Sequence, residues 1–197
     1  MTPPADRQRF LRSWALWTAG FLAFPVAGLA GTAAAGRVDD PGPALLGGLV
    51  TGLVVGVAQT LASRRRLDPR RWVPATTLGM GAGLLLGSWV VDYQTSLADL
   101  ALMGALTGLV LGAAQALALP ADTAHRGAWA IAVPALWALG WVVTTSGGIH
   151  VEDQFTIVGV SGAFTFSALS GLLLHRLLPF EEPIRPRDVS APAPVPG

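Results

Sequence analysis

Six blocks of apolar residues, at 14–35, 44–62, 73–91, 97–119, 128–145 and 155–178, constrain this chain more than any other feature of it. Blocks of this length match the roughly 20 residues of helix that cross hydrocarbon about 30 Å thick. In lipid every backbone polar group must be satisfied internally, so the spanning structures available are helices and closed barrels. No Asp, Glu, Arg or His falls deep within a block, and 52% hydrophobic against 13% charged residues is wrong for a soluble domain. The fold expected is all-α: a polytopic transmembrane bundle of six spans over residues 13–178. A polar lead, 1–12, precedes it, and a Pro-rich tail, 179–197, follows. The tail has no apolar periodicity and is expected to be disordered.

Every basic residue is Arg, and the arginines are unevenly placed. Arg7, Arg9, Arg12, Arg64, Arg65, Arg66, Arg70, Arg71, Arg126, Arg176, Arg185 and Arg187 all fall on one side of an alternating six-span chain. Only Arg37 falls on the other. Basic residues stay cytoplasmic, so both termini are expected inside a bacterial cytoplasmic membrane. The full-length first block, with no small-residue cleavage site and soluble domain behind it, argues against a cleaved signal peptide. The stretch SRRRLDPRR at 63–71 is the most basic in the chain. Wedged between two spans and without an aromatic stacking platform, it reads as a topology anchor that meets anionic lipid and not as a nucleic-acid site. Arg64, Arg65 and Arg66 are the anchors expected there, and Trp14, Trp72 and Trp129, each shortly after an Arg at the start of an odd span, are expected to form an interfacial belt.

One stretch is written twice. Residues 48–62 read GLVTGLVVGVAQTLA and residues 104–118 read GALTGLVLGAAQALA. Gly48, Thr51, Gly52, Gly56 and Gln59 thus fall on Gly104, Thr107, Gly108, Gly112 and Gln115. Span six keeps a worn copy in Gly162, Ala163 and Thr165, with Leu173 in place of the glutamine. The chain therefore reads as three two-helix units of the same orientation, related by an axis along the membrane normal in a pseudo-threefold arrangement. Glycines four apart share one helical face, at Gly48, Gly52 and Gly56, at Gly79, Gly83 and Gly87, and at Gly104, Gly108 and Gly112. Lipid provides no hydrophobic force between helices, so a face without side chains favours close approach and van der Waals contact. The even helices are expected to turn these faces inward, around a centre too crowded for a wide pore. Thr51, Thr107, Gln59 and Gln115 are the polar intramembrane residues, read as interhelical glue ahead of a polar lining.

The G-x-x-x-G-x-x-Q-x-L stretch, followed by an Arg-rich turn and a Trp-led helix, resembles uncharacterised bacterial multi-pass membrane proteins that repeat this pattern. The resemblance covers spans two to five best and implies a fold without an activity. Gly159, Ser161 and Gly162 form a G-x-S-G that is similar to the nucleophile motif of rhomboid proteases. Those enzymes pair the Ser with a His on a later helix; here Ser161 is in the last span and His175 lies on the same helix. His150, Glu152 and Asp153 share one loop with no second cluster, more in keeping with a solvated turn than a metal site. No catalytic residue, metal or cofactor is expected. The reading preferred on sequence is a non-enzymatic structural or accessory membrane protein that self-associates or meets a membrane partner. The alternative is a small-solute permeation or substrate-binding component. An outward cavity lined by Tyr93, Gln94, His150 or Gln154 favours the alternative, and a solid glycine-packed centre favours the first.

Overall fold

The computed structural model describes residues 4–64, 66–148 and 159–178. Among them all regular structure is helical: α1 (Pro4–Ala19), a 3-10 turn (Gly20–Leu22), α2 (Ala23–Ala35), α3 (Pro41–Ala62), α4 (Pro69–Val90), α5 (Leu97–Ala118), α6 (Arg126–Ser146) and α7 (Val160–Leu177). Five stretches are long and apolar enough to span a membrane: Asp6–Ala35, Pro41–Ala62, Pro69–Val90, Leu97–Ala118 and Arg126–Ser146. The shorter α7, 18 residues with His175 and Arg176 in its last turn, is not one of these. The helical architecture is that of an integral membrane protein. Its large apolar side chains point outward, with Ile131 78% and Leu117 77% exposed, as they must where the solvent is hydrocarbon.

Local chemistry sets the helix ends. Asp40 and Asp68 each precede a Pro at the first helical position and accept from the amides of Gly42 and Arg70 at 2.7 and 2.9 Å. The proline's missing N–H is one that the first turn leaves unpaired anyway, and its fixed φ suits the helix. Ser96 caps α5 through the Asp99 amide at 3.3 Å. The polar lead is helical from Pro4 and runs directly into the first span. That span breaks at the 3-10 turn, ahead of Pro25. The proline itself is accommodated near the start of α2, where the first turn lacks carbonyl partners in any case.

Each helix packs against the next, and α7 returns to α1, so the chain closes into a ring. Across the ring, the backbones of α3, α5 and α7 do not approach one another. This corrects the inward packing expected of the even helices. Their glycine faces turn sideways, each toward its neighbour in the ring. A Cβ on Gly48 would stand 2.8 Å from Gly81 Cα of α4; one on Gly52, 2.7 Å from the Thr76 carbonyl; one on Gly56, 3.1 Å from Thr76 Cβ. Gly79, Gly83 and Gly87 of α4 meet Leu111, Thr107 and Met103 of α5, and Gly104, Gly108 and Gly112 meet Trp137, Pro134 and Val133 of α6. The glycines make seams between ring neighbours because adjacent helices are where two backbones can run alongside one another for their whole length. Thr51 and Thr107 reinforce the seams identically, each donating to a carbonyl 24 residues earlier, those of Ala27 and Gly83, at 3.2 Å.

Candidate functional site

With backbones drawn together at the seams, the ring interior is left to side chains, and its two ends are filled differently. At the end where α3 finishes and α4 begins, three indoles converge. Trp72 and Trp129 are fully buried with ring centroids 5.8 Å apart, and Trp17, also buried, lies 6.4 Å from Trp129; both pairs are edge to face. That geometry places the positive ring edge of one indole against the negative face of another. Each indole N–H donates into the preceding helix of the ring: Trp72 to Gln59 Oε1, Trp129 to Gln115 Oε1 and Trp17 to Ser170 Oγ, all at 3.0 Å. Gln115 Nε2 then donates to Thr76 Oγ1 at 3.0 Å and to Gln59 Oε1 at 3.3 Å, joining α3 to α5 across the centre. Polar groups in a dry interior carry a desolvation cost unless paired, and here they pair with one another.

The belt expected of Trp72 and Trp129 is thereby corrected: they stand in the first turns of α4 and α6 but face inward, held by the two glutamines. Trp14 is half-buried and donates to the Ala168 carbonyl at 2.9 Å, so it too is tied to α7. Gln59 is buried within the plug, 6% exposed. The sequence reading missed Trp17 and Ser170. Trp17 stands three residues beyond Trp14 with no Arg directly before it, and a serine replacing a glutamine one helical turn from Leu173 leaves no readable match.

Arg66 fastens this end. Its guanidinium donates to the carbonyls of Ser63 and Leu178 and to Ser13 Oγ, at 3.2, 3.3 and 2.8 Å, binding α1, the α3–α4 loop and the end of α7. Burial lowers its pKa from the ordinary arginine value. Arg64 is exposed in a left-handed backbone conformation, φ 54°, and Arg65 lies outside the described residues.

The opposite end is hollow. One cavity of about 170 Å³ is lined by Phe24, Thr51, Trp137, Trp141, Thr144 and Phe166 among others. A second, of about 210 Å³, is lined by residues that include Thr51, Ser88, Tyr93, Gln94, Met103 and Trp141. The two share Gly28, Thr51 and Trp141. Tyr93 and Gln94 thus line one of the cavities, while His150, Glu152, Asp153 and Gln154 lie outside the described residues. The backbone at Asp92 and Tyr93 is left-handed, φ 50° and 56°, an uncommon conformation for a bulky residue that turns the chain sharply into the cavity wall. Burial raises the Tyr93 phenol above its ordinary pKa, and the charges of Asp40 and Asp92 push the same way. Among the described residues no group of His, Asp and Glu is arranged to hold a metal. Ser161 and His175 sit at opposite ends of α7, and His175 packs on Phe10 with ring centroids 4.5 Å apart. Comparison with family models, with curated proteins and with solved structures finds no match.

Proposed function

We propose that the chain is a non-enzymatic membrane protein of six spans whose helical ring, closed at its cytoplasmic end, holds a small molecule in its outer half. The observation that carries this reading is the pair of adjoining cavities stacked on a plug of tryptophan, glutamine and threonine. A plug with paired polar groups and interlocked rings argues against a standing pore. A largely apolar chamber with a few polar groups has the build of a small-molecule site. The matching bonds of Thr51 and Thr107, and of Trp72 and Trp129, support three two-helix units, with Trp17 and Ser170 as the diverged third. The arginine distribution supports both termini inside, in a bacterial cytoplasmic membrane with anionic lipid at Arg64, Arg65 and Arg66.

A structural or accessory role is the second reading, favoured by the continuous glycine seams and the solid packing of the plugged half. It leaves the cavities without a purpose. Native mass spectrometry of the protein, released from nanodiscs formed with its own membrane lipids, separates the two. Retention of a small-molecule adduct is expected. Bare polypeptide, from a sample that still unfolds cooperatively, would favour the accessory role, and ion flux through reconstituted protein would overturn the closed ring.

A further inference from the structure

In the plugged half every indole has an acceptor: Trp14, Trp17, Trp72 and Trp129 all donate hydrogen bonds. Around the cavities the pattern reverses. Trp137 Nε1 is buried and has no partner among the described residues, and the Tyr93 hydroxyl is in the same state. Trp141, which lines both cavities, also makes no hydrogen bond among them. The Trp137 and Tyr93 donors are sealed from the cavities they adjoin, so Trp141, half-buried and in both cavity walls, is the indole that an occupant can reach, in a molecule that pairs every indole of its plug. An indole N–H in an apolar wall with no acceptor of its own gains a hydrogen bond from a bound molecule that brings one, and gives up no protein partner to do so.

From this we infer that the cavities bind a small molecule with an apolar, ring-sized body and a carbonyl or ether oxygen that accepts from Trp141. The inference rests on the small-molecule reading above and supplies its ligand class. The chemistry of the lining sets the body: Phe24, Trp137 and Phe166 contact one another at ring centroids of 5.7 to 6.2 Å. The smaller cavity, about 170 Å³, is close in size to an apolar protein cavity of about 150 Å³ that takes up benzene. Among the described residues, neither cavity is lined by an Asp or Glu, so the walls favour a neutral body. An acceptor-free hydrocarbon would leave the donors as they are. Gly28 provides the boundary: it is exposed, lines both cavities, and a Cβ on it would meet nothing within 4 Å. A larger side chain there can occupy the chamber without forcing the helices apart.

The test compares 4′-fluoroacetophenone with its isostere 4-fluoro-α-methylstyrene, in which a methylene replaces the carbonyl oxygen. Binding to the full chain in nanodiscs is read by fluorine NMR against empty nanodiscs, which give the lipid partition baseline. The ketone should bind about fivefold or more tighter than the alkene, the worth of one hydrogen bond. Trp141→Phe should remove most of that preference with little effect on the alkene, and Gly28→Leu should weaken both. Should Trp141→Phe fail to fold, indole nitrogen-15 NMR of the wild-type protein decides: the ketone should shift an indole N–H resonance and the alkene should not. Equal affinity for both probes, or an unmoved indole spectrum with saturating ketone, would overturn the acceptor-bearing class while leaving the chamber a binding site. Absence of binding by either probe above the baseline, together with no native adduct, would overturn the binding reading itself.

Discussion

Gln115 is the residue on which the plug depends most, because its one amide serves three partners, Gln59, Thr76 and Trp129. Gln115→Leu keeps the volume but strands the Trp129 N–H and the Thr76 hydroxyl in a dry interior. Interhelical hydrogen bonds in membranes average about 0.6 kcal/mol, and a stranded buried donor adds to that, so a loss of about 2 kcal/mol is expected. Gln59→Leu should cost less, since Gln59 only accepts from Trp72 and Gln115. Reversible unfolding in mixed detergent measures both. The double variant should destabilise by less than the two single effects combined, because the Gln59–Gln115 bond is lost in each. Strict additivity would mean that this bond contributes nothing.

Among the elements, the glycine seams make opposite predictions for glycines that look alike in sequence. Gly52→Ala and Gly108→Ala would each set a Cβ within 2.7 Å of the facing helix, at the Thr76 carbonyl and at Pro134 Cα. Backbone cannot rotate away as a side chain can, so each should cost about 1 to 3 kcal/mol, and isoleucine at either position should prevent folding. Gly28→Ala, in the same kind of apolar helix but facing open space, should leave the thermal midpoint unchanged or raised. Loss of stability at Gly28 equal to that at Gly52 would refute the seam assignment. In α3, α4 and α5 the glycines spaced four apart are ones at which a Cβ would meet a neighbouring helix. Spacing holds no information on which helix is approached. That choice follows from the ring, which emerges only when short connections and six side-by-side contacts are taken together. The same gap explains Trp72 and Trp129: position near an Arg fixes their depth along the helix, while only the partner glutamines fix that they face inward. The cavities were legible to the extent that Tyr93 and Gln94 stood out as polar groups beside an apolar span. Trp137, Trp141 and Thr144, read simply as part of span five, gave no sign of lining anything.

The molecule as a whole is a ring with one filled and one hollow end, joined at the α7–α1 seam by Trp17, Trp14 and Arg66. Arg66→Ala removes three bonds that draw α1, the loop and α7 together, and should lower the unfolding midpoint and make the lead helix, α1, more susceptible to protease. Arg66→Lys should restore little, because a single ammonium cannot span the same fork of acceptors. Unchanged protease resistance in Arg66→Ala would remove this arginine from ring closure. Because the chain contains no cysteine, the sidedness and depth of any position can be read against a zero background. The most direct measurement is therefore reaction of Thr51→Cys and Thr76→Cys, in intact cells and in inverted membranes, with a small membrane-impermeant thiol reagent. Thr51, in both cavity walls, should react from the outside only, and Thr76, inside the plug, from neither side. Labelling of Thr76→Cys from either face as fast as Thr51→Cys would contradict a ring closed at one end.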